Sequence, residues 1–165
     1  MGSKIILFFL IIIAGLCSSC GYYSFKGSLP SNLKKVAVPL FDNNTAYPGI
    51  QEDLTNQVID KFISDNTLEV TNEPQADIII RGTILSVTQK AATITSGETV
   101  TGFNLYVNVK VKCEDIRNGK DLWEKVINQY GTMSGIASQE ERDNAINDAI
   151  EKIADDIKNN TLAYW

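Results

Sequence analysis

The chain has 165 residues, 44% of them hydrophobic and 21% charged. That is the length of one globular domain and a composition that excludes disorder throughout. Histidine is absent, which removes Ser-His-Asp and Cys-His catalysis and the commonest metal ligand. Carboxylate, Lys and Tyr chemistry remain open. With 15 basic and 20 acidic residues the net charge is −5. Nucleic-acid binding depends on a basic footprint, so the balance argues against it.

The N-terminus has a basic Lys4 followed by an uncharged run, Ile5 to Leu16. A membrane-spanning helix needs ~20 apolar residues, so this run is short. A basic start and a short apolar stretch are the layout of a secretory signal. Cys17-Ser18-Ser19-Cys20-Gly21 follows. Lipoprotein signal peptidases cut before a cysteine that follows small residues. Ser18 and Ser19 fit that requirement before Cys20, whereas Leu16 is too large before Cys17. Cys20 is therefore the expected lipidation site, residues 1–19 the expected signal peptide, and 20–34 a lipidated N-terminus and tether. The lipobox departs from the usual pattern, because Cys17 occupies the place that Leu usually holds. An uncleaved anchor, an ordinary signal and a misassigned start are the competing readings. Removal of residues 1–19 takes Lys4 away and leaves 14 basic against 20 acidic groups, net −6. Only Cys113 then remains as a free thiol, so no internal disulfide is available and a packed core must hold the fold.

Residues 35–165 read as a single α+β domain. Val36, Val38 and Leu40 alternate in a short strand that Pro39 places at an edge or an end. Asp42 to Gly49 is a loop. Ile50, Leu54, Val58 and Phe62 recur every four residues, predicting an amphipathic helix of about four turns. Glu52 and Asp53 lie in its first turn, where the macrodipole favours anions. Leu68 to Thr71 is a possible short strand. Ala76 to Val87 is a stronger one, apolar on both faces at Ile78-Ile79-Ile80 and thus interior to a sheet. Phe103, Leu105, Val107, Val109, Val111 and Cys113 alternate with polar residues and give the clearest strand. Asn118-Gly119 is a two-residue turn signal, and the return strand is Asp121 to Gly131. Ser138 with Glu141 is a capping box, after which Ile146, Ile150, Ile153 and Ile157 define a second helix. Its flanking alanines, Ala145, Ala149 and Ala154, permit close approach to another element. Two helices with one apolar stripe each must share a sheet face. The expected fold is a two-layer sandwich, two helices packed on one face of a four-stranded, mostly antiparallel sheet.

A two-residue turn at Asn118-Gly119 sets Val111 opposite Val126 and Val107 opposite Tyr130. The second sheet face then pairs Lys112 with Lys125, Lys110 with Ile127 and Glu114 with Trp123, with Tyr106 beside them. Opposed like charges are unfavourable in a sheet. Tyr106, Lys110, Lys112, Trp123 and Lys125 thus form a candidate face for an anionic amphiphile or a protein partner. The bland reading is a solvated face with splayed lysines, and a one-residue slip dissolves the argument. Asp155-Asp156 and Glu140-Glu141 are acidic pairs on a helix back, where adjacent positions diverge. Arg81 is expected in packing or a salt bridge, and Cys113 in the core. No phosphate-binding glycine loop, paired-cysteine motif or zinc-protease motif is present. No catalytic cluster, metal site or cofactor is expected.

The lipobox followed by CGYYSFKG, the segment KKVAVPLFDNNTAYPGIQEDLTNQVIDKF at 34–62, ADIIIRGTI at 76–84 and the terminal helix ending near Tyr164-Trp165 resemble the LptE family of lipopolysaccharide-assembly lipoproteins. The resemblance implies two helices on one face of a four-stranded sheet. It also implies an outer-membrane lipoprotein on the periplasmic side, which assembles with and plugs the LptD β-barrel and binds lipopolysaccharide on its way to the surface. Some members have basic residues in the loop joining the middle strands. Residues 91–101 here hold only Glu98 as a charge, so that contact is not carried over, and Lys110, Lys112 and Lys125 are the better candidates. A lipid-anchored periplasmic scaffold or chaperone of another envelope machine is the alternative, and an enzyme is a third class.

Overall fold

The computed structural model describes residues 32–92, 102–134 and 137–163. In chain order these form β1 (Lys35–Ala37), β2 (Asp42–Asn43), α1 (Ile50–Asp65), β3 (Glu69–Val70), a 3-10 turn (Glu73–Gln75), β4 (Ile78–Ala91), β5 (Gly102–Asp115), β6 (Lys120–Ser134) and α2 (Gln139–Leu162). The fold is α+β, with one core between the sheet and both helices. Leu33 is already buried in that core.

The sheet has six strands and is mixed, not four-stranded and mostly antiparallel. Its order is β3-β1-β4-β5-β6, with β2 also on β4. β1 runs parallel to both β3 and β4, and β2 runs parallel to β4. Parallel neighbours need a long crossover, which α1 supplies. β1 and β3 lie where strands were expected, but Asp42–Asn43, expected in a loop, is a strand, and segments this short encode no direction. β1 and β2 lie along the same edge of β4, interrupted at 38–41. Pro39 has no N–H to give the ladder. The Phe41 N–H donates instead to Thr55 Oγ1 at 3.1 Å, and that hydroxyl donates to Gln51 O at 2.6 Å.

The helices form as their stripes require. Leu54, Val58 and Phe62 of α1 and Ile150, Ile153 and Ile157 of α2 are fully buried. Ser138 Oγ accepts from the Glu141 N–H, and Glu141 Oε2 accepts from the Ser138 N–H at 3.0 Å, completing the capping box. Lys61 ties α1 to α2 through Asp155 at 2.8 Å and Glu151 at 3.2 Å. The bond from Asp155 raises the Lys61 pKa despite partial desolvation, and the same bond lowers that of Asp155.

The alanine edge of α2 does bring two backbones together. A Cβ on Gly131 of β6 would lie 2.0 Å from the Ala145 carbonyl oxygen, so the helix backbone occupies the space of the missing side chain. Gly82 of β4 accepts the Phe41 ring in the same way.

The β5–β6 register is corrected by one residue along most of the ladder. The turn has four residues, Ile116–Gly119, with only Gly119 at positive φ. Buried Asp115 shapes it, accepting from the Asn118 N–H at 3.0 Å and from Asn118 Nδ2 at 2.7 Å. Asp115 opposes Lys120, a bulge follows at Leu122, and then Cys113 opposes Trp123 and Val111 opposes Lys125. The bulge lets consecutive Leu122 and Trp123 both be buried. Two adjacent apolar side chains cannot share one face of a regular strand, so core packing selects the bulge over the two-residue turn.

The outer sheet face

Register decides which side chains meet on the side away from the helices. Across β4, β5 and β6 the outer rows are Arg81–Lys112–Glu124, Thr83–Lys110–Val126, Ser86–Asn108–Asn128 and Thr88–Tyr106–Tyr130. Tyr106, Lys110 and Lys112 are therefore on this face as expected. Trp123 and Lys125 are not. Trp123 opposes Cys113 within the core, where its indole Nε1 has no hydrogen-bond partner among the described residues. Lys125 points to the helix side and donates to Asn160 of α2 at 2.6 Å. The Lys112–Lys125 opposition does not exist, because Glu124 stands opposite Lys112.

The remaining cations are largely neutralised. Lys110 pairs with Glu124. Lys112 bridges Glu114 at 2.7 Å and Asp121 at 3.0 Å, and those hydrogen bonds, Glu114 first, raise its pKa. Arg81 joins Glu73 at 2.6 Å and Glu114 at 3.4 Å, the salt-bridge role expected of it. One end of the face is thus a network of alternating charge rather than a basic patch.

The other end is aromatic and amide-rich, with lysines over its rings. Tyr106 and Tyr130 stack with centroids 5.2 Å apart and planes tilted by 42°. Lys90 Nζ lies 4.9 Å from the Tyr106 ring centroid, and Lys152 reaches round from α2 to within 5.4 Å of that of Tyr130. Such cation–π contacts hold rings in place while leaving their remaining surface open. Asn128 donates to Asn108, which donates to Ser86 at 2.9 Å. Val126 is 59% and Tyr130 41% exposed. Sequence reading missed Tyr130, Val126 and Lys90. The adjacent Leu122-Trp123 pair was the signal that would have moved the first two onto this face.

The face offers flat stacking area, amide donors and a few held cations, with no nucleophile beside a base. The acidic pairs on α2 are structural. Glu141 closes the capping box, Asp155 binds Lys61, and Asp156 accepts from Gln129 at 2.6 Å. Among the described residues no His, Cys, Asp or Glu group has metal-ligand placement. A surface cavity of about 450 Å³ opens between the N-termini of α1 and α2, lined by Tyr47, Ile50, Asp53, Gln139 and Asp143, and it too lacks a nucleophile–base pair. Cys113 is buried on the core side, and desolvation pushes its thiol up to about 12. Cys20 and most of the 91–101 loop lie outside the described residues. No described helix is long and apolar enough to cross a membrane.

Solved structures share this architecture. A hypothetical protein from Chlamydia trachomatis superposes with a TM-score of 0.60 at 10% identity, covering 80% of this chain and 97% of that one. A minor lipoprotein from Acinetobacter baumannii gives 0.55 at 16%, covering 79% and 94%. An uncharacterised lipoprotein B from Nitrosomonas europaea gives 0.53 at 18%, covering 83% and 86%. At such identities the likeness is one of fold. No curated protein matches the sequence at a significant level. The LptE lipopolysaccharide-assembly family model matches residues 33–161, from buried Leu33 to the last turn of α2. The chain therefore belongs to the LptE family, and its role lies in lipopolysaccharide transport.

Proposed function

We propose that this chain is a lipoprotein anchored through Cys20 in the outer membrane on its periplasmic side. There it assembles with an LptD-type β-barrel, plugs it, and assists lipopolysaccharide insertion without catalysing a reaction. The observation that carries the reading is the family match across nearly the whole packed domain. The outer face supports it. Tyr106, Tyr130 and Val126 offer apolar contact to a barrel wall or a glycolipid, and Lys90, Lys110 and Lys112 offer charge beside them. Because Lys110 and Lys112 are already paired, aromatic contact outweighs charge in this surface.

Affinity purification of the tagged lipoprotein from envelopes tests the reading. A large outer-membrane barrel in stoichiometric amount is the expected partner, and Tyr106→Ala with Tyr130→Ala is expected to weaken either barrel association or lipopolysaccharide binding. Recovery with a different envelope machine and no barrel overturns the assignment in favour of a scaffold or chaperone.

A further inference from the structure

One pole of the domain gathers the start of the packed chain and the tip of the β5–β6 hairpin. Asp77 joins them. Its carboxylate is buried, and Oδ2 accepts from the Lys34 N–H at 2.8 Å and the Lys35 N–H at 3.0 Å. Oδ1 accepts from Arg117 Nε at 2.6 Å, and the Asp77 carbonyl accepts from the Ile116 N–H at 2.9 Å. Lys34, Lys35, Arg117 and Lys120 are thereby held around one end of the molecule, and the Lys34–Asp77–Arg117 groove is about 330 Å³. Asp77 and Asp115 are buried and already bonded, Asp77 to Arg117. Glu69, 3.9 Å from Lys35, and Asp121, which follows Lys120 and pairs with Lys112 at 3.0 Å, are exposed anions at this end. Lys34 and Lys120 are exposed and have no ion pair among the described residues. Ile116, the first residue of the turn and next to Arg117, is an apolar side chain 46% exposed.

We infer that this pole, with exposed Ile116 in its turn and the cations Lys34, Lys35, Arg117 and Lys120, docks on an anionic phospholipid surface. The inference rests on the proposed lipidation at Cys20. Residues 21–32 separate that anchor from Leu33, the first buried of the described residues, and even fully extended they span only about 40 Å. The described residues begin at this pole, and in a copy anchored through Cys20 the intervening length holds Leu33 within about 40 Å of the bilayer. A short link of this kind turns weak surface affinity into sustained contact. Basic residues near an anionic leaflet each strengthen binding about fivefold, and the attraction decays within a Debye length. The mature chain carries a net charge of −6, so binding to such a surface depends on where its cations are concentrated.

The test uses the mature chain with Cys20→Ala, so that any vesicle binding comes from the domain and not from a lipid. Flotation with phosphatidylglycerol–phosphatidylethanolamine vesicles at low salt is expected to carry the protein, and phosphatidylcholine vesicles or high salt to release it. Lys34→Glu with Lys120→Glu should lower partitioning at least about tenfold, and Ile116→Ser should lower it without altering the salt dependence. Equal binding to phosphatidylcholine, or unchanged binding of the double variant, overturns the inference. Amide exchange on the unsubstituted mature chain adds a readout that needs no variant at the pole. The Ile116–Gly119 turn should be protected by phosphatidylglycerol vesicles only, and an unprotected turn overturns the inference as well. Loss of barrel association in the double variant with vesicle binding intact would assign the cations to the protein partner instead. Intact mass decides the Cys20 anchor separately, since absence of lipid there leaves the flotation result standing on its own.

Discussion

Gly131→Ala adds one methyl group where α2 crosses β6. The new Cβ would sit 2.0 Å from the Ala145 carbonyl oxygen, 2.6 Å from its carbon and 2.7 Å from Cα, against the 3.4 Å or more of ordinary contact. The obstacle is backbone on both sides, so no rotamer change relieves it. The helix must lift by about 1.4 Å at this point, loosening Ile146, Ala149 and Ile150 from the sheet. Overpacking costs about 1–3 kcal/mol, and the rigid obstacle sets this case at the upper end. Reduced freedom of the unfolded chain offsets about 0.4–1 kcal/mol, leaving a net loss of about 2 kcal/mol. Urea denaturation followed by tryptophan fluorescence should show the midpoint falling by about 1–2 M at an ordinary slope. Ala145→Gly should not rescue the variant, because it removes no atom of the obstructing backbone. A loss below about 0.5 kcal/mol, or rescue by Ala145→Gly, would refute the close-approach account.

Ile150→Asp buries an unpaired carboxylate in the middle of the α2 stripe, and a loss of several kcal/mol is expected in denaturant titration. A change of a few tenths would mean that the stripe is not core. Asp77→Ala strands the Lys34 and Lys35 N–H groups and frees Arg117, with an expected cost of about 2–4 kcal/mol. Desolvation raises the Asp77 pKa, but bonds from Lys34, Lys35 and Arg117 outweigh it and hold the value below the usual 3.8, as Lys61 does for Asp155. Both stabilise fully above the unfolded carboxylate pKa, and their contribution is lost as pH falls through the lower folded values. Stability should therefore be flat above about pH 5 and decline below it, with a smaller decline in Asp77→Ala. Cys113, buried and titrating near 12, should resist iodoacetamide at pH 8 in the folded protein and react on unfolding. Cys20→Ala should carry no lipid by intact mass, and lipid retained on it would shift the assignment to Cys17.

Elements were legible in the sequence wherever one face of one element was buried. The four-residue stripe of α1, the isoleucine stripe and capping box of α2 and the alternation of β5 each encode which side meets the core, because burial imposes the period of the local backbone. Ala145, Ala149 and Ala154 even announced a close approach, although only the structure names Gly131 as the position beneath. Tertiary packing decided what pairs with what. β2 is too short to show a period, and the parallel direction of β1, β2 and β3, which no local pattern encodes, follows from the α1 crossover. The β5–β6 register depends on a bulge that exists because Leu122 and Trp123 must both be buried, and that single residue moved Trp123 and Lys125 away from Lys110 and Lys112. The charge of the outer face was illegible for the same reason. Glu73, Glu114, Asp121 and Glu124 neutralise its cations from three different segments, and a chain read one residue at a time contains no record of which distant carboxylate will lie beside which lysine.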